Sequence, residues 1–237
     1  MAARTRRSHF RRRDHKRAFI RRNMRRASKS KQLGLMLNTL NSWRTRRRIA
    51  TGGEQNMTSY LGIDSPAPPI NVQHWLRGDP LSNFQLGKIY ILDFFATTCG
   101  YCRPALTYLA QLQEGYRDMG VEAIAVASRE EAATADDARA QVDAWVSKWL
   151  PYSKIRIAFD YSGEMDEHWM DASISFGVPQ AFVVDRDGSI AFIGHPDMLE
   201  DVLPKVIDGS WRASAEAKNA ENERIAAGET YAAELVP

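Results

Sequence analysis

Residues Ile89-Tyr90-Ile91-Leu92-Asp93-Phe94-Phe95-Ala96-Thr97-Thr98-Cys99-Gly100-Tyr101-Cys102-Arg103-Pro104 decide how this chain folds. The first seven make a short run of aromatic and β-branched residues interrupted by one carboxylate. Such a run reads as a strand buried on both faces. Beyond it, Ala105, Leu109, Leu112 and Tyr116 recur at helical spacing as far as Gly120, which predicts a helix over 103–120. The pair Cys99-Gly100-Tyr101-Cys102 therefore falls where a strand gives way to a helix. Unpaired N–H groups and a partial positive charge at a helix start stabilise a thiolate. Cys99 is thus expected to ionise below the free-thiol value of about 8.5. Cys102 sits one turn further in, close enough to bond Cys99 and more buried. The 237 residues hold no other cysteine, so no disulfide framework is available.

Working outward, Val121–Ala127 is a second apolar strand. Residues 130–149 read as a helix with Val142, Trp145 and Trp149 on one face. Residues 155–159 alternate as a strand, and 164–174 read as a helix. Ala181–Val184, the turn Asp185-Arg186-Asp187-Gly188 and Ser189–Ile193 carry a hairpin signal. Asp197 and Glu200 are expected to cap a last helix that ends near Gly209 and kinks at Pro204. Strands alternating with helices, then a hairpin, predict an α/β fold with a central mixed sheet flanked by helices. The folded domain is expected over 57–211, entered through the extended Ser65-Pro66-Ala67-Pro68-Pro69. Residues 212–237, rich in Ala and Glu, are expected to form a loose helical tail.

The formal charge of +3 conceals a split. Residues 1–50 hold 18 of the 32 basic residues and one acid, Asp14, which leaves 14 basic and 28 acidic residues in the remainder. Clusters such as Arg11-Arg12-Arg13 and Arg46-Arg47-Arg48 repel one another, so the arm over 1–56 is expected to be disordered. Three readings of it stand open: an extension upstream of a natural start at Met57, a transit-type or nucleic-acid-binding arm, or a solvated tail. The apolar centre Leu33-Gly34-Leu35-Met36-Leu37 is too short for a signal-peptide core, and no stretch reads as a membrane span. A cytoplasmic location is expected on that ground.

Asp93 stands out on its own. A carboxylate within an apolar strand is costly unless it is neutral or paired, and burial raises its pKa.

The stretch Ile91–Pro104, together with Gly177-Val178-Pro179 before the hairpin, Asp187-Gly188 within it and Gly194 after it, resembles the thioredoxin superfamily. The likeness is closest to its TlpA-type and redoxin thiol–disulfide oxidoreductases. It covers about residues 65–210, including that branch's helix–strand–helix insertion near 130–174. The resemblance implies a thioredoxin-like fold and these roles. Cys99 attacks a substrate disulfide, and Cys102 resolves the mixed disulfide. Asp93, six residues before Cys99, matches the family's buried acid and acts as a base toward Cys102. Pro179 matches the family's cis-proline, and with Val178, Gly100 and Tyr101 it meets the substrate. The implied partners are protein thiols or disulfides and an unidentified electron donor or acceptor. No cofactor, metal, membrane or nucleic-acid partner is expected, and the protein is expected to be a monomer. The chain departs from the commonest pattern at Thr98, where the family usually has tryptophan, and at Tyr101, where thioredoxin-type reductants have proline.

Other readings of the chain compete with this one. Zinc needs four ligands, or three and water, and no second cysteine pair exists. A peroxiredoxin-like peroxidase looks for Pro-x-x-x-Thr-x-x-Cys, but Leu92 and Ala96 occupy those positions. A nucleic-acid-binding protein would act through the arm, with strongly salt-dependent binding. His195 reads as a loop or helix-opening residue, and the tryptophans as packing.

Overall fold

The computed structural model describes residues 60–234, so the basic arm over 1–56 and the proposed start at Met57 lie outside the described residues. Its elements in order are β1 (His74–Arg77), β2 (Ile89–Phe95), α1 (Cys102–Gly115), β3 (Val121–Ala127), α2 (Ala135–Trp149), β4 (Arg156–Phe159), β5 (Gln180–Val184), β6 (Ile190–Gly194), α3 (Leu199–Ile207) and α4 (Ala215–Glu234). The six strands form one sheet in the order β1-β4-β3-β2-β5-β6. β2 runs parallel to β3 and antiparallel to β5, and this makes the sheet mixed.

All seven residues of β2 are fully buried, as a strand without a polar face requires. Successive side chains point to opposite faces. Phe94 meets Trp169 and Phe182, while Phe95 meets Trp145 of α2. The mixed sheet with helical cover is the architecture the strand order predicts. The hairpin forms where expected, and Gly188 takes φ 83° in its turn, a conformation glycine adopts without a steric penalty. Among the described residues no helix is long and apolar enough to cross a membrane.

Several elements differ from their sequence-based expectation. The helix predicted over 103–120 stops at Gly115, and the chain tightens into a 3₁₀ turn over Arg117–Met119. Gly120 ends that turn at φ 79°, so the glycine is a stop signal for the turn and not for the helix. α2 begins at Ala135, five residues later than expected. Thr134 has extended backbone and its hydroxyl accepts the Asp137 N–H at 3.1 Å, which makes it the N-cap. Glu130 is thereby left in a loop and turns inward. The helix expected over 164–174 is a π-helical segment, Asp166–Asp171, that buries Trp169 and Met170.

Asp197 and Glu200 do not form the expected cap. A 3₁₀ turn over Pro196–Met198 precedes α3, and His195 Nδ1 accepts the Asp197 N–H. Pro196 suits the first position of that turn, which moves the cap back to His195. Pro204 lies inside α3.

α4 is helical as its composition suggests, but it is packed and not loose. Ala217 and Gly228 are buried. Arg224 donates to the carbonyls of Ser173 and Leu61, and the Tyr231 ring lies 4.9 Å from that of Phe176.

Candidate redox site

The end of β2 and the start of α1 present the two cysteines. After Phe95 the chain turns sharply: the Cys99 N–H donates to the Ala96 carbonyl at 3.0 Å, and the Cys102 N–H donates to the Cys99 carbonyl at 3.2 Å. α1 opens at Cys102, with Tyr101 at its N-cap and no side-chain cap. Cys99 and Cys102 form a disulfide, with Cα atoms 5.4 Å apart. Cys102 is fully buried; Cys99 is half-buried, and Gly100 and Tyr101 beside it are exposed. An outside thiol or disulfide can therefore reach Cys99, while Cys102 can meet only Cys99.

A second loop faces this pair. The Val178–Pro179 peptide bond is cis, and the Val178 carbonyl oxygen lies 3.5 Å from Cys99 Sγ. Pro179 leads directly into β5, which is paired with β2, and Val178 is nearly buried. Cys99 and Val178, 79 positions apart in sequence, are thus brought to one spot by the β2–β5 pairing.

Asp93 lies on the central strand between Ala125 and Ala181 of its two neighbours. It is fully buried, and neither carboxylate oxygen has a hydrogen-bond partner among the described residues. Burial pushes its carboxyl well above the ordinary carboxylate range. The group is then a neutral acid at a pH where an exposed aspartate is ionised, which fits it to exchange a proton.

The loop after β3 contributes two residues that the sequence reading did not single out. Glu130 Oε1 accepts the Thr97 N–H at 2.7 Å, and the Thr97 hydroxyl donates to Glu130 Oε2. Burial pushes the Glu130 carboxyl up, and the two bonds from Thr97 oppose that shift. Arg129 donates to Asp166 Oδ2 and to the Phe176 carbonyl, each at 2.8 Å. One dipeptide therefore braces both loops of the site. The signal that could have found it is positional: polar residues directly after a parallel strand stand at the edge where α/β sheets gather their sites.

The Redoxin family model matches residues 76–207, which takes in both loops and the cysteine pair. The chain belongs to the redoxin family of thioredoxin-like oxidoreductases. This redoxin is 65% identical over 162 residues to Protein FixW of Rhizobium leguminosarum, across 68% of this chain and 73% of that one. It is 29% identical over 107 residues to the thiol-disulfide oxidoreductase ResA of Bacillus cereus, across 44% of this chain and 53% of that one, so it spans about half of that relative's length. Among solved structures, a hypothetical protein of Sinorhizobium meliloti matches with a TM-score of 0.53 and 15% identity, across 66% of this chain and 90% of that one. That last likeness is one of fold. The redoxin match ends at residue 207, so α4 lies beyond it.

Proposed function

We propose that this redoxin exchanges disulfides with polypeptide substrates through Cys99 and Cys102. The observation that carries the reading is the asymmetry of the pair. A half-buried Cys99 is bonded to a fully buried Cys102, and Cys99 Sγ lies 3.5 Å from the Val178 carbonyl of the facing loop.

In the reducing direction, the Cys99 thiolate attacks one sulfur of a substrate disulfide. That S–S bond breaks, one substrate sulfur leaves as a thiolate, and a mixed disulfide forms. Cys102 then loses its proton to Asp93 in its carboxylate form and attacks Cys99 Sγ. The mixed disulfide breaks, the second substrate thiolate leaves, and the Cys99–Cys102 bond is restored. Two electrons pass from the protein dithiol to the substrate. Run backwards, the same steps oxidise a substrate dithiol, and the direction follows the potential of the partner. Val178, Pro179, Gly100 and Tyr101 border Cys99 and form the ground on which substrate backbone lies. A dithiol or disulfide partner returns the pair to its working state.

Cys102→Ser tests the reading. With the resolving sulfur gone, Cys99 accumulates a mixed disulfide with an oxidised protein substrate such as insulin, visible as a mass adduct on the Cys99 peptide. No adduct, together with Cys99 alkylation near pH 7 no faster than an ordinary thiol, sinks the proposal.

A further inference from the structure

Beside the cysteine pair, the exposed side of α1 and the end of α2 enclose a cleft of about 500 Å³, lined by Arg103, Pro104, Thr107, Tyr108, Gln111 and Trp149. Arg103 follows Cys102 directly, so this end of the cleft lies in the same first turn of α1 as the buried cysteine. Its composition is unusual. The Arg103 guanidinium stands over the Trp149 ring at 4.5 Å, and Lys148 Nζ stands over the same ring at 4.7 Å. Trp149 is 40% exposed. Neither cation forms an ion pair among the described residues, and no Asp or Glu lines the cleft. Two like charges over one ring repel one another, and the ring's π face offsets that only in part. An anion at the edge of this ring gains from both, from Arg103 in the lining and from Lys148 outside it.

At the other end of the lining, burial and then the charges of Glu200, Asp201 and Asp197 push the Tyr108 phenol up, although none of these carboxylates lines the cleft. The cationic charge is therefore confined to the Trp149 end. A uniformly acidic surface does not match it, but a single carboxylate near a partner's cysteine does.

We infer that the Arg103–Lys148–Trp149 end of the cleft is an anchor for a carboxylate side chain that flanks the reacting cysteine of a polypeptide partner. The anchor rests on the disulfide-exchange reading and adds to it a choice of partner. Electrostatic contacts of this kind act on encounter and register more than on the chemical step.

The test uses the full chain carrying Cys102→Ser. Two short peptides differ only in glutamate or lysine flanking one cysteine, which is carried as its disulfide with mercaptoethanol. Capture on Cys99 is timed for both, and for neutral hydroxyethyl disulfide. The expected result is capture of the glutamate peptide about threefold or more faster than the lysine peptide, the scale of one or two exposed charge pairs. The basic arm also attracts acidic peptides, so the cleft is read from a variant. In Lys148→Gln with Trp149→Leu, added to Cys102→Ser, the preference falls toward unity. A preference that persists in this variant, or equal rates in the parent, overturns the anchor while capture of hydroxyethyl disulfide leaves the exchange reading standing. Failure to capture any of the three disulfides overturns both.

Discussion

Arg129 reaches across the site to hold Phe176: its Nη1 donates to the Phe176 carbonyl at 2.8 Å, two residues before Val178. The same guanidinium donates through Nε to Asp166, and its side chain is only 9% exposed. Glu130, next in the chain, holds Thr97, two residues before Cys99. The two loops that meet at the disulfide are thus tied to one short segment at the end of β3. Their spacing depends on this segment as well as on the strand pairing beneath them.

Arg129→Met keeps the aliphatic stem but removes both bonds. It leaves the Phe176 carbonyl and the Asp166 carboxylate without that partner, so the fold loses roughly 1–3 kcal/mol. The facing loop is then less well placed, and capture of polypeptide disulfides slows more than capture of hydroxyethyl disulfide. Denaturant unfolding gives the first quantity and stopped-flow capture the second. An unchanged ratio of the two capture rates would show that Arg129 braces the fold without placing the loop.

Glu130→Ala removes the acceptor for both Thr97 donors and costs roughly 1–3 kcal/mol by the same reasoning. Glu130→Gln keeps one acceptor oxygen for the Thr97 N–H, so it retains most of the stability. If the turn before Cys99 is held by this bond, the pH profile of Cys99 alkylation moves in the alanine variant and is largely restored in glutamine. Equal profiles in both variants would place the effect on charge instead of on the bond.

Asp93 gives a pH dependence whose sign is fixed by its environment. Its folded pKa lies above the unfolded value near 3.8, so the folded protein keeps a proton that the unfolded chain releases. Stability from this group is full below about pH 3.8 and is lost as pH rises through the folded pKa. Asp93→Asn does not titrate. Its stability relative to the parent is therefore flat in acid and improves toward neutral and alkaline pH, on the order of 1–3 kcal/mol for a buried group without a partner. Resolution of the mixed disulfide slows at the same time, because Cys102 loses its base. Urea midpoints across the pH range check the first part. Decay of a pre-formed Cys99 adduct in the variant that retains Cys102 checks the second.

Much of this was legible in the chain. The apolar run Ile89–Phe95 could only be a doubly buried strand, and the hairpin announced itself through Asp187-Gly188. Cys99, Cys102 and Asp93 stood out because each residue type is costly or reactive in its local setting, whereas Pro179 stood out only through the family resemblance. Arg129 and Glu130 did not, because a charged dipeptide after a strand looks the same whether it is solvated or turned inward. Only the partners, Thr97 and Phe176, 33 and 47 positions away, reveal which. The packing of α4, though not its helicity, was hidden for a related reason. Besides Tyr231, the body is met by Ala217, Arg224 and Gly228, which are small or long and charged, so they leave no continuous apolar stripe to read.

Two glycines in helices separate packing from propensity. Gly115 ends α1 with nothing within 4 Å of the place where a Cβ would sit. Gly115→Ala therefore gains the usual helical advantage of alanine, about 0.5–1 kcal/mol. Gly228 lies within α4, where the same change should gain as much, but its Cβ would meet the Ile174 carbonyl oxygen at 2.6 Å and the Ile174 side chain at 2.8 Å. A backbone oxygen cannot swing aside, so α4 must lift from the segment before the cis-proline loop. Gly228→Ala then lowers stability by roughly 1–3 kcal/mol, the scale of overpacking. It also loosens the Tyr231–Phe176 contact and the Arg224 bond to the Ser173 carbonyl. Paired thermal melts read the opposite signs, and limited proteolysis between α3 and α4 reads the lifting. Two variants of equal sign would mean that α4 is not seated on Ile174 in solution.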